Sequence, residues 1–349
     1  MKRHFCTYFD SGYLARGLAL YQSLRRHAGD FVLFVLCLDD ATFDYLADLH
    51  RSDLHPIALN EFESGDEALL RAKRNRTLIE YYFTCTGSLV QFLLRKWPRI
   101  DMLTYLDADL YFYSDPSPIF AELGDKSILI VEHRYPDHLE HLVKWGVHNV
   151  GLIAFRNNAI GHCCLQWYRE RCLEWCYDRY EDGKFADQKY LDDWPARFDE
   201  VVVLQHKGAG LSPWNVDRYK IRQSALTVII DDAPLIFFHF HKLMMLHPLL
   251  FEPRLHEYES GLNRPLTQGV YGPYVIELRK IMRQLKRSCH SIRDPRRHTG
   301  SELRRILLYG ETIVVVGHFA FRFNLEPLLR PLLRMRRLLS SFTDSRSPA

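Results

Sequence analysis

Short apolar runs alternate with amphipathic stretches along the first half of the chain. His4 to Phe9 reads as a strand, and Tyr13 to Arg26 as a helix with Leu14, Leu18, Tyr21 and Leu24 on one face. Phe31 to Leu38 is apolar throughout, the pattern of a strand covered on both sides. Thr42 to Leu49 follows as a helix, Leu54 to Leu59 as a strand, and Arg76 to Lys96 as a longer helix stopped by Trp97-Pro98. Met102 to Leu106, Ser127 to Val131, Val147 to Phe155 and Val201 to Leu204 are further strands. Ile160 to Tyr177 is a helix and Pro234 to Phe240 a late, buried strand. Strands alternating with helices predict an α/β fold with a mostly parallel central sheet and helices on both faces. From about Gly269 the pattern changes to Arg-rich helical segments, so the chain divides into a body, residues 1–268, and a basic helical region, residues 269–349. No internal repeat or low-complexity tract is present.

Charge sharpens that division. The formal net charge of +3 hides 16 Lys and Arg against 5 Asp and Glu from Arg279 onward, so the tail carries +11 and the remainder −8. An acidic body with a basic tail suits an anionic surface and argues against nucleic acid as the partner. Basic and apolar residues interleave at helical spacing through Leu328 to Leu339, which fits a helix on an anionic membrane; a helix packed on the body gives the same pattern. Eight cysteines (6, 37, 85, 163, 164, 172, 176 and 289) show no repeating framework and read as buried thiols. The start Met1-Lys2-Arg3-His4-Phe5 has no hydrophobic signal core, and no apolar run is long enough to span a bilayer. The expectation is a cytoplasmic protein, with the inner membrane face as the place where the tail would dock.

Chemistry concentrates at four places. Asp107-Ala108-Asp109 follows the apolar strand Met102 to Leu106. In extended backbone its two carboxylates point to one side, where a divalent cation, Mn²⁺ or Mg²⁺, supplies the counter-charge. The competing reading is a turn with a helix-capping Asp, a role that Asp115-Pro116-Ser117 fills more naturally. Phe237-Phe238-His239-Phe240-His241-Lys242 sets a histidine in an apolar run, where it must have a partner. His239 completes a two-Asp, one-His metal site, with His241 as the alternative ligand, and Lys242 offers a point charge to a diphosphate. As a core histidine His239 is equally well explained. Asp187-Gln188 can hold sugar hydroxyls, although Asp187 alone reads as a helix cap. Asn149 ahead of Gly151 is either a ligand contact or a strand bulge.

Other patterns fall short of a site. Cys163, Cys164, Cys172 and Cys176 lack paired zinc spacing, and His133, His138, His141 and His148 match no zinc motif. Gly208 and Gly210 lack the third glycine of a dinucleotide fingerprint. Tyr111 stands where a phosphatase using the acidic pair would carry Thr or Val.

Taken together, Thr7-Tyr8-Phe9-Asp10, Asp107-Ala108-Asp109, the run from Asn149 to Phe155, Asp187 to Pro195, His206 to Asn215 and Phe237 to Lys242 resemble the bacterial relatives of family 8 glycosyltransferases. The resemblance spans about residues 4 to 245. It implies a GT-A fold in residues 1–268 and transfer of a sugar from a nucleotide-diphosphate sugar, UDP-sugars favoured, to the hydroxyl of a glycan or lipid-linked acceptor. It also implies retention of configuration and a place in surface polysaccharide or lipopolysaccharide synthesis. It puts the metal on Asp107, Asp109 and His239, and the nucleotide sugar near Thr7, Tyr8, Arg76, Ala108, Asn149, Gly151 and Lys242. Asp187 and Gln188 would line the reacting face. One departure stands out: the family follows its late histidine with glycine and then Lys-Pro-Trp, whereas here Phe-His-Lys-Leu-Met follows His239. A catalytically silent nucleotide-sugar or glycan-binding protein is the alternative reading.

Overall fold

The computed structural model describes residues 2–224, 227–247, 249–288, 311–316 and 319–324. In chain order, β1 (Arg3–Phe9), α1 (Leu14–His27), β2 (Phe31–Cys37), α2 (Asp40–Asp48) and β3 (Leu54–Ala58) build the first half of the sheet. Helices α3 (Leu59–Glu63), α4 (Glu67–Arg74) and α5 (Leu78–Lys96) lead into β4 (Met102–Leu106), β5 (Leu110–Phe112), α6 (Ser117–Leu123), β6 (Ile128–Glu132) and β7 (His148–Arg156). After α7 (Ala159–Glu174), α8 (Trp194–Arg197) and β8 (Val201–Val203) come β9 (Ile221–Ser224), β10 (Thr227–Ile230), β11 (Ala233–Pro234), β12 (Phe237–His239), β13 (Met244–His247) and β14 (Leu250–Glu252). The described residues end with α9 (Gly272–Ser288), β15 (Glu311–Val316) and β16 (Phe319–Asn324).

The central sheet has seven strands in the order β3-β2-β1-β4-β7-β6-β8. All its neighbours are parallel except β7, which runs antiparallel to both β4 and β6. As its uninterrupted apolar run predicts, β2 is buried at every position. Leu33, Val35 and Cys37 enter one core, where α1 and α9 contribute Leu14, Leu24, Val275 and Ile281. Val32, Phe34 and Leu36 enter the other, with Tyr81, Cys85 and Leu89 of α5 and Leu165 and Tyr168 of α7. The sheet is thus covered on both faces. At roughly 1.5–3 kcal/mol for each fully buried large apolar side chain, these two cores dominate the favourable side of folding.

Local signals set the helix ends. Thr77 and Glu80 form a reciprocal capping box that starts α5 two residues after the predicted Arg76. Asn158 caps α7 through the Gly161 amide. Among the described residues, six cysteines are buried and unpaired, and Cys163 is exposed. The predicted strand Pro234 to Phe240 divides in two: β11 closes a small sheet with β9 and β10, while β12 pairs antiparallel with β5. That second pairing sets His239 opposite Leu110.

Beyond residue 269 the expected helix is present as α9, whose Tyr274, Val275, Leu278 and Ile281 are buried against the body. Arg26 of α1 reaches Glu277 of α9 at 2.7 Å. The stretch around Ile313 to Phe321, expected within a helical region, instead forms the antiparallel hairpin β15–β16, which joins β14 and β13 in a four-stranded sheet. Its β-branched run Thr312-Ile313-Val314-Val315-Val316 favours a pleated, half-covered strand over a helix. The basic segment Leu328 to Leu339 lies outside the described residues. No described helix is long and apolar enough to cross a membrane.

Candidate active site

The β4 strand ends at Leu106, and the chain turns at once: the Leu110 amide donates to the Asp107 carbonyl at 3.1 Å. Asp107-Ala108-Asp109 is therefore a tight turn between β4 and β5 rather than extended backbone, and it caps no helix. The turn is held from both sides. The Asp107 amide donates to the Gly151 carbonyl of β7 (2.9 Å), and the Phe240 amide to the Asp109 carbonyl (3.0 Å). With Ala108 buried beneath it, the turn presents both carboxylates to His239. His239 Nε2 lies 3.2 Å from Asp109 Oδ1 and 3.6 Å from Asp107 Oδ2. Ligand atoms of these three residues all fall within 4.8 Å of one another, and they are the one such group among the described residues. Among the described residues, the cysteines and the His133–His148 cluster form none.

His241, the alternative ligand, lies outside this group because β12 ends at His239. Its ring stands 5.7 Å from that of His239, and burial drives its pKa down to about 3, leaving it neutral. The Trp214 ring meets His239 and His241 edge-on, each at 5.3 Å, and fixes both imidazoles.

One imidazolium cannot serve both the buried carboxylate of Asp109 and the half-buried one of Asp107. Burial penalises the charge on Asp109, yet His239 outweighs it and, with Arg16, holds that carboxyl down to about 2. Asp107 moves the other way: burial, reinforced by the Asp109 charge, raises it. His239 is itself raised, its burial penalty exceeded by Asp109 and then Asp107. Two carboxylates and an imidazole with one compensating charge among them form a donor set that fits Mn²⁺ or Mg²⁺.

A second acidic group, Asp187, lies beyond Tyr8 of β1. Asp187 is buried and accepts hydrogen bonds from Thr86 (3.0 Å) and Tyr168 (3.1 Å). Thr86 continues to the Tyr8 hydroxyl (3.3 Å); the Tyr8 ring packs 5.5 Å from that of Tyr105, and the Tyr105 hydroxyl donates to Asp107 (2.8 Å). Tyrosines thus link the two acidic groups. Burial, with the Asp107 charge added, pushes Asp187 up to about 7 from its ordinary 3.8. Between about pH 4 and 7 the folded chain therefore keeps a proton that the unfolded chain has lost, and stability falls as pH rises through that window. Asp187→Asn should flatten this slope, which is at most about 1.4 kcal/mol per pH unit. Urea midpoints at pH 5 and pH 7.5 check it: a wild-type change no larger than the variant's would contradict the assignment.

The remaining candidates divide. Asn149 Oδ1 accepts from the Gly151 amide (2.8 Å), and its amide nitrogen lies 3.3 Å from His133 Nε2. A Cβ on Gly151 would stand 2.9 Å from His239 Nδ1, so this glycine makes room for the imidazole. Gln188 donates to the Trp145 carbonyl (2.8 Å), and Asp192 ties that turn to β7 through the Val147 and His148 amides. Thr7 is buried with its hydroxyl unpartnered. Arg76 donates to Thr84 Oγ1 (2.9 Å) and to the Leu173 carbonyl (2.8 Å), which joins α5 to α7. Lys242 turns outward with φ +58° and reaches Glu257 at 3.3 Å. The sequence reading missed Tyr105, Thr86, Tyr168, Trp214 and Arg16. Tyr105, in the segment Tyr105-Leu106-Asp107-Ala108-Asp109, and Trp214, inside the run His206 to Asn215, carried a signal.

No family model matches the chain. In architecture it is similar to the galactosyltransferase LgtC, solved with donor and acceptor sugar analogues: the TM-score is 0.51 at 15% identity, covering 79% of this chain and 95% of that one. The fold is thus of the GT-A type, a mostly parallel α/β sheet between helical layers. By sequence it is 29% identical over 286 residues to the uncharacterized protein YfnD of Bacillus subtilis (strain 168), covering 81% of this chain and 91% of YfnD. YfnF of the same organism, also uncharacterized, is 34% identical over 250 residues, 69% of this chain and 81% of its own length, and the chain belongs to the family of YfnF.

Proposed function

We propose that this protein is a metal-dependent glycosyltransferase that moves a sugar from a nucleotide-diphosphate sugar to an acceptor hydroxyl. The observation that carries this reading is the convergence of Asp107, Asp109 and His239 on one point at the end of β4, within a GT-A fold. A divalent cation held by these three would supply the charge that stabilises a departing nucleoside diphosphate. The chain's own residues do the rest. Trp214 and Gly151 keep His239 in place, so that little reorganisation is needed when ligand binds. Asn149, within the Gly146–Gly151 segment, and Gln188, packed against Gly146, offer amide donors and acceptors to sugar hydroxyls. Asp187, raised to about 7, keeps its proton in part at neutral pH and is able to donate as well as accept. UDP as the nucleotide, retention of configuration and a glycan or lipid-linked acceptor follow from the family 8 resemblance.

The test is a panel of UDP-, GDP- and dTDP-sugars incubated with the purified chain, reading nucleoside diphosphate release. One donor should be turned over with Mn²⁺ or Mg²⁺, halted by chelator and restored by metal. Turnover indifferent to chelator would remove the metal from the account, and failure with every donor would favour a silent binding protein.

A further inference from the structure

We propose that Arg16 binds the terminal phosphate of the donor's diphosphate, the part that the sequence reading gave to Lys242; the proposal rests on the glycosyltransferase reading above. Arg16 projects from the first turn of α1, and its Nη2 donates to the Leu243 carbonyl at 2.9 Å. That bond pins the guanidinium to the turn immediately after His239 and His241. Its plane lies over the Tyr13 ring, 4.6 Å from the centroid. Among the described residues it has no carboxylate partner within ion-pair distance. Main chain joins that turn to the candidate metal ligands: the Leu243 amide donates to the Phe240 carbonyl (3.1 Å), and the Phe240 amide to the Asp109 carbonyl (3.0 Å).

Lys242 is placed otherwise. Its ammonium is paired with Glu257, which also binds Arg254, and its side chain is 48% exposed. A cation already facing a carboxylate on the surface is a poor phosphate ligand. A half-buried guanidinium has five N–H donors. A merely structural bond to the Leu243 carbonyl uses one and leaves the charge without a counter-ion. A phosphate beside the cluster would complete it in the two-pronged geometry that guanidinium favours.

The experiment titrates wild type, Arg16→Ala and Arg16→Lys, in Mn²⁺, with uridine, guanosine and thymidine diphosphates and with the matching monophosphates. Melting temperature and Mn²⁺ affinity of each variant serve as controls. For the base that binds, Arg16→Ala should weaken the diphosphate by about 10- to 100-fold and the monophosphate by less than about 3-fold, with Arg16→Lys recovering part of the loss. Equal loss of both nucleotides, or undiminished diphosphate binding in Arg16→Ala, would overturn the assignment while leaving the glycosyltransferase reading intact. Wild type binding no nucleoside diphosphate would overturn both.

Discussion

Asp109→Asn should fold and lose at least about 10³-fold in donor turnover, a barrier increase of roughly 4 kcal/mol. The reasoning rests on charge rather than shape. Asparagine is nearly isosteric, and the Asp109 main chain keeps its bond to the Phe240 amide, so the β5–β12 pairing that carries His239 survives. What disappears is the carboxylate most firmly ionised in the cluster, held down to about 2. The remaining pair, Asp107 and His239, would offer one negative charge and one imidazole, a weak set for a hard divalent cation. Loss of the metal's contribution at a departing diphosphate is worth several kcal/mol. Turnover assays at saturating Mn²⁺, with circular dichroism as the fold control, check this, and wild-type turnover in the variant would remove Asp109 from the site.

Gly151→Ala is expected to act through geometry and to cost about 10²-fold in activity. A Cβ there would stand 2.5 Å from Asn149 Oδ1, 2.9 Å from His239 Nδ1 and 3.1 Å from His239 Cε1. The first two approaches are closer than real Cβ atoms come, so a side chain must shift. His239 is only 4% exposed and Trp214 stands against it, so it has little room to retreat. Asn149 can yield only by giving up its bond to the Gly151 amide. Displacing a ligand by about 1 Å is enough for a 10²-fold loss, and overpacking of this kind costs about 1–3 kcal/mol in stability. Urea unfolding and turnover measured on one preparation separate the two effects. Full activity in Gly151→Ala would mean that His239 does not need its present position.

These expectations lean on features that differ in how plainly the sequence declares them. The two-sided burial of β2 was legible because seven apolar residues in a row suit little else. The convergence of Asp107, Asp109 and His239 was legible as a set of residue types, and its geometry was not. The pair lies in a turn, and what aims both carboxylates at one imidazole is the β5–β12 pairing, a contact between segments far apart in sequence. Arg16 reads as an ordinary helix-surface arginine until α1 is packed against the turn after β12. Lys242 looked like a phosphate ligand because its partner Glu257 is fifteen residues away on another turn. The hairpin β15–β16 went unread because arginines on either side suggested helix, while its own β-branched residues carried the stronger local preference.

Calorimetric titration of nucleotide sugars into the wild-type chain, first with Mn²⁺ and then after chelation, tests the central claim most directly. The account predicts that one nucleotide sugar binds with metal present, that its affinity falls at least about tenfold on chelation, and that Asp109→Asn binds it no better with metal than without. Binding of equal strength in all three conditions, or none to any nucleotide sugar, would contradict it.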